Sequence, residues 1–247
     1  MKVKVKVKEK GKVKEILIIA AAFFILAAAI GGTSYVSIRL YVNQYIKDNY
    51  ERRVGMWQET ATLVLDGGIV FLGDSLTEFF AIDEFFRDVT TYNRGIYGDT
   101  TYGVINRLDE SVFNVNPSKV FLLIGANDVN KTKDSHETIA QNIQDIISTI
   151  KTNAPETIIY VQSLYPVNRD SPKSNPLEIG KLSNKRIVEI NSLLASVCET
   201  EQVIYLDLFS HLVDDLGNLR EEYTIEGLHL NAQGYKAVAE LLRQHIP

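Results

Sequence analysis

The chain has 247 residues, 45% hydrophobic, 23% charged and 9% aromatic. That is enough apolar material for one α/β domain with an appendage, and it excludes a disordered chain, a collagen-like repeat and a polytopic membrane protein. Cys198 is the only cysteine, so no internal disulfide and no cysteine-based zinc site can form. The net charge of −5 is unevenly spread: seven lysines against Glu9 and Glu15 put +5 on residues 1–15 and −10 on the remainder. An acidic body is a poor partner for phosphate backbones, so nucleic acid is not an expected ligand.

Lys2 to Lys14 alternates lysine with valine, interrupted at Gly11. The period is that of a strand, but like charges repel along it, and residues 1–15 read as a solvated, basic, cytoplasmic tail. Residues 16–38 carry no charge and include ILIIAAAFFILAAAI. The run is long enough to cross a bilayer core of roughly 30 Å and predicts a transmembrane signal-anchor. A cleaved signal peptide ending at small residues such as Ala27 and Ala29 is the alternative, and it would yield a secreted protein. Seven lysines precede the run, against Arg39, Lys47, Arg52 and Arg53 after it. This bias predicts a single-pass protein of the cell membrane with everything after Ile38 on the extracytoplasmic side. Residues 39–66 read as a juxtamembrane helix and linker, with Tyr41, Val42, Tyr45 and Ile46 at helical spacing and Trp57 expected to pack on the domain's first helix.

From residue 67 the pattern alternates. Apolar runs at residues 68–72, 119–124, 157–162 and 202–206, with a weaker one at 89–93, predict five strands. Between them, Ile139, Ile143, Ile146, Ile147 and Ile150 mark one helical stripe, and Ile187, Ile190, Leu194 and Val197 another. Ser135, Ser183 and Asn231 stand where N-caps are wanted, the last before a helix over 232–245. This order predicts an α/β fold: a five-stranded parallel sheet in a three-layer α/β/α arrangement, with ligands at the carboxyl ends of the strands. The one long loop, residues 165–181, also leaves a carboxyl end.

Four short blocks fall at expected strand or loop ends on the same side of the sheet: Gly73-Asp74-Ser75-Leu76, Asn93-Arg94-Gly95, Gly125-Ala126-Asn127-Asp128 and, just before the last helix, Glu226-Gly227-Leu228-His229-Leu230. Acyl transfer requires a nucleophilic oxygen, a base, a group to orient the base, and donors for the oxyanion. Ser75 and His229 fit the first two roles, the Gly95 N–H and the Asn127 amide the last. Taken singly, each residue also has a structural reading: a turn at Ser75, positive φ at Gly95, a loop cap at Asn127, a hydrogen-bonded structural histidine at His229. No His-Glu-x-x-His and no phosphate-binding glycine loop exists, so neither a metal nor a nucleotide cofactor is expected. Asp74 and Asp128 read as turn-formers that brace their neighbours, and Asp207 as a helix cap.

Over residues 68–247 the four blocks, in this order, resemble the SGNH (GDSL) serine hydrolases. The resemblance implies a flavodoxin-like fold and cofactor-free esterase, lipase or acylhydrolase activity. It also implies Ser75 as nucleophile, His229 as base, and the Ser75 N–H, Gly95 N–H and Asn127 amide as the oxyanion hole. That family usually has Asp three residues before the histidine, where this chain has Glu226. Two readings stand: a Ser-His-Glu triad, or a Ser-His dyad with Glu226 exposed. The expected substrate is a small-molecule, glycan or lipid acyl ester. The polar character of loop 165–181 points to short acyl groups on polar carriers. An O-acyltransferase acting on envelope glycans and a catalytically silent envelope-binding domain are the alternatives.

Overall fold

A computed structural model describes Gly32 and residues 36–246. The basic tail and most of the apolar run lie outside the described residues. Among the described residues no helix is long and apolar enough to cross a membrane. Residues 36–48 belong to the first of two compact units and are helical throughout, with Val36, Ile38, Leu40, Tyr41, Val42 and Tyr45 exposed.

The second unit begins at Asn49. Its opening helix, α1 (residues 49–59), buries Trp57. Five strands follow: β1 (Ile69–Gly73), β2 (Thr91–Gly95), β3 (Lys119–Leu123), β4 (Ile158–Gln162) and β5 (Ile204–Leu206). All pair in parallel, in the order β2-β1-β3-β4-β5. Every residue of β1 is buried, as a strand covered by helices on both faces must be. The register sets Phe71 beside Phe121 and Phe121 beside Tyr160. Their rings stack at 5.0 and 4.6 Å between centroids, an aromatic ladder through the middle of the sheet.

Between the strands run α2 (Ser75–Glu78), α3 (Ile82–Phe85), α4 (Thr101–Ile105), α5 (Leu108–Ser111), α6 (Ala126–Lys131), α7 (His136–Asn153), α8 (Pro176–Ile179), α9 (Asn184–Glu201), α10 (Phe209–Leu212) and α11 (Ala232–Leu242). The isoleucine stripe of α7 is buried as its spacing predicts, and Ser135, Ser183 and Asn231 each accept a main-chain N–H as caps. Asp207 Oδ1 accepts the Ser210 N–H.

Several boundaries differ from the sequence reading. The second strand is residues 91–95 rather than 89–93, because Gly95 pairs with Gly73 and the strand lies at the sheet edge, where polar Asn93 and Arg94 are tolerated. The first strand runs one residue further, to Gly73, and the third stops one short, at Leu123. The fourth starts at Ile158 and the fifth at Ile204, since Gln202 takes a left-handed conformation that ends α9. The last α-helix stops at Leu242 and continues as a 3-10 turn, and loop 165–181 contains α8.

The strand order places the reversal of winding between β1 and β3, where such sheets leave a crevice at their carboxyl ends. Gly73, Gly95 and Leu123 stand side by side there.

Candidate active site

Asp74 turns the chain from β1 into α2. Its Oδ1 accepts the Leu76 N–H at 3.0 Å, capping the helix that Ser75 opens. The Tyr235 hydroxyl of α11 donates to the Leu76 carbonyl at 3.0 Å and fixes this helix from behind. Ser75 Oγ lies 2.9 Å from His229 Nε2, although 154 residues separate them. On the other side of the ring, Nδ1 is 2.6 Å from Glu226 Oε1. A carboxylate at Nδ1 keeps the neutral ring's proton there, leaving Nε2 to accept from the Ser75 hydroxyl. Ser75 and His229 are both buried.

The loop that carries Glu226 is held by its own turn and by the long loop. Glu226 Oε1 also accepts the His229 main-chain N–H at 2.9 Å, and Thr224 Oγ1 accepts the Gly227 N–H and donates to the His229 carbonyl. Gly227 has φ of +91°, and a Cβ there would collide with the Asn168 carbonyl. Asn168 N–H donates to the Gly227 carbonyl and Asn175 N–H to that of Glu226, both at 2.8 Å. Loop 165–181 therefore buttresses the carboxylate.

Gly95 ends β2 directly beneath α2. Its φ is not positive; it must be glycine because a Cβ would collide with the main-chain nitrogen of Glu78. Its N–H donates to Asn93 Oδ1 at 3.0 Å. Asn127, in the first turn of α6, donates from Nδ2 to Asp74 Oδ2 at 3.2 Å, which leaves its second amide hydrogen for another acceptor. Burial, then repulsion from Asp99 and Asp128, pushes the Asp74 carboxyl up to about 7 from its ordinary 3.8. Burial likewise raises Asp128, which accepts from the Thr101 N–H and, at 2.5 Å, from its hydroxyl, tying α6 to α4.

Three supporting groups escape the sequence reading. Asn93 Nδ2 reaches the carbonyls of Thr77, Glu78 and Phe80 at 2.8–3.3 Å, binding the end of α2 to β2. Glu78 accepts the Tyr97 N–H and lies 3.3 Å from Arg53 Nη1 of α1. Arg107, fully buried, pairs with Asp99 at 2.9 Å and donates to the Gly73 carbonyl at 3.0 Å. Asn93 had a signal within reach, as the first residue of its block, and Glu78 stands only two residues beyond the Ser75-Leu76 block.

Of the other histidines, His136 Nδ1 is 3.2 Å from Glu189 and His245 lies against Tyr160. Among the described residues no group of three or more His, Cys, Asp or Glu is placed to hold a metal.

Residues 71–237 match the GDSL-like lipase/acylhydrolase family. The chain belongs to this family. As a GDSL-like lipase/acylhydrolase it is a hydrolase acting on ester bonds. Among curated proteins it is 27% identical over 182 residues to the N-acylneuraminate cytidylyltransferase of Escherichia coli O18:K1:H7. That match takes in 71% of this chain but only 40% of the relative's length. It is 26% identical over 182 residues to the platelet-activating factor acetylhydrolase IB subunit beta homolog of Drosophila melanogaster, covering 72% of this chain and 76% of that protein. A solved structure from Streptococcus pneumonia, described as a platelet activating factor, is similar with a TM-score of 0.80 and 28% identity, over 86% of this chain and 99% of the other. A GDSL-like lipase from Bacteroides thetaiotaomicron shares the fold with a TM-score of 0.68 and 24% identity, over 80% and 97% of the two chains.

Proposed function

We propose that this GDSL-like hydrolase cleaves short-chain carboxylic esters of polar carriers through a Ser75–His229–Glu226 triad. The observation that carries the proposal is the unbroken line from Ser75 Oγ through Nε2 and Nδ1 to Glu226 Oε1, with links of 2.9 and 2.6 Å. In the first half-reaction Ser75 Oγ attacks the acyl carbon and its proton passes to Nε2. The alkoxide accepts from the Ser75 N–H, the Gly95 N–H and the free hydrogen of the Asn127 amide. For Gly95 this means a bond shared with Asn93 Oδ1. The imidazolium, stabilised by Glu226, protonates the departing alcohol. A water, deprotonated by His229, then attacks the acyl-enzyme, releases the acid and restores Ser75.

The Glu226 contact favours the triad over the dyad and speaks against a silent binding domain. The exposed polar residues of loop 165–181, among them Arg169, Asp170 and Lys173, support a polar carrier such as an acetylated glycan, whereas Asn168 is buried and donates to the Leu219 carbonyl. The name of the Drosophila relative, an acetylhydrolase, supports acetyl as the acyl group. The test is Ser75→Ala with nitrophenyl acetate and a fluorophosphonate probe. Loss of both turnover and labelling is expected; surviving turnover removes the mechanism. Product analysis with an added glycan acceptor separates hydrolysis from acyl transfer.

We infer from the uncharged run at 16–38 and its lysine-rich flank that the hydrolase is anchored in the cell membrane and faces outward. Fractionation of the full chain against one lacking residues 1–38 tests this. Equal partition of the two between membrane and soluble fractions would remove it.

A further inference from the structure

The imidazole of His229 is buried, yet the ring that lies against it is not. Phe79, the residue after α2, sits with its ring centroid 5.2 Å from that of His229 and is 48% exposed. Tyr97 lies nearly parallel to the imidazole, at 6.2 Å and 25°. The two aromatic rings are 6.0 Å apart and tilted by 30°. Tyr97 is fixed at both ends: its N–H donates to Glu78, and its hydroxyl donates to Glu178 Oε2 of α8 at 3.1 Å. Phe79 thus presents a large apolar ring to solvent beside the Ser75–His229 pair, against a neighbour held by these two hydrogen bonds.

The side of the site on which this face lies follows from the chemistry. The acyl carbon must sit between Ser75 Oγ and the donors at Gly95 and Asn127. The departing oxygen must instead reach His229 Nε2 to be protonated. Groups that cover the imidazole therefore flank the alcohol half of the ester and not its acyl half. Two aromatic faces with a shallow tilt favour a flat ring, which gains offset stacking beyond the burial any apolar group would gain.

We propose that Phe79 and Tyr97 form a leaving-group subsite selective for esters of alcohols that carry a flat ring. This rests on the triad reading above. Benzyl acetate and hexyl acetate are suitable probes, since their alcohols are similar in size and in basicity as leaving groups. The enzyme is expected to favour the benzyl ester in kcat/KM by about three- to tenfold. Phe79→Ala should bring the ratio close to one. Phe79→Leu, which keeps apolar bulk but no ring face, should do the same. The ratio of benzyl acetate to benzyl hexanoate, which varies only the acyl half, should not change. An unaltered benzyl-to-hexyl ratio in Phe79→Ala overturns the subsite, as does a ratio retained in Phe79→Leu or a change confined to the acyl comparison. Ser75→Ala separates the two levels. Inert toward all these esters, it leaves the triad standing whatever Phe79 does; active, it removes the triad and the subsite with it.

Discussion

Asn127 Nδ2 donates to Asp74 Oδ2 across 3.2 Å, while the other oxygen of the same carboxylate caps the helix opened by Ser75. One buried group thus holds both the turn that carries Ser75 and the amide proposed above as an oxyanion donor. Because its folded value, about 7, lies above its ordinary 3.8, the folded protein binds this proton more tightly than the unfolded chain. The stability Asp74 contributes is fully present below about pH 4 and lost as the pH rises through about 7. Full ionisation costs roughly 4 kcal/mol. Asp74→Asn keeps a capping side chain without the titration. Urea unfolding at pH 5 and pH 8 should show a smaller loss of stability in the variant than in the parent, and equal losses would contradict the assignment.

Glu226 Oε1 accepts two N–H groups, one from the His229 ring and one from its main chain. In Glu226→Gln both donors select the amide oxygen for that position, so the tautomer survives and only the charge is lost. The expected fall in kcat is about 10²-fold, well short of the roughly 10⁴-fold that follows when a triad histidine is held in the wrong tautomer. Glu226→Ala should fall further. Steady-state kinetics on a nitrophenyl ester measures both; an Ala variant within threefold of the parent would favour the dyad.

Arg107 and Asp99 are both buried, and Arg107 also bonds the carbonyl of Gly73 and the hydroxyl of Ser111. Arg107→Met leaves Asp99 buried without its partner, at an expected cost of about 3–5 kcal/mol. Adding Asp99→Asn should recover part of this. Chemical denaturation of Arg107→Met, Asp99→Asn and the double variant reads the coupling directly.

Gly95→Ala sets a methyl group against the Glu78 main-chain nitrogen, where no flexible side chain can yield. Either β2 or α2 must shift, and α2 carries Ser75. Both thermal stability and kcat should drop, and an alanine variant with parental values of both would refute the close packing.

The four blocks were legible because each is a continuous stretch of main chain, three at the carboxyl ends of strands and the fourth in the loop that leads into α11. The caps at Ser135, Ser183 and Asn231 were legible for the same reason. What holds the blocks together was not. The three carbonyls that Asn93 binds lie 13–16 residues away, and nothing in a sequence marks a carbonyl as an acceptor. Asp99 and Arg107 stand eight residues apart, and no sequence pattern marks two opposite charges for burial together. The second strand was misplaced by two residues because Val89 drew the reading toward apolar character, whereas pairing with β1 decides the edge. The polar loop 165–181 was singled out for substrate contact; its observed work includes anchoring the Glu226 turn, a role set by main-chain bonds alone.

Trp57 lies on α1, ahead of the family-matched segment, yet it is 3% exposed and has Arg53, Arg94 and Arg107 at 4.8–5.5 Å from its ring. A polypeptide trimmed to residues 71–237 would strip the indole from these guanidinium groups and remove Arg53 from Glu78. The helix that precedes the family-matched segment is thus a cover on the hydrolase, and recombinant versions that dispense with it should lose thermal tolerance before they lose any catalytic group.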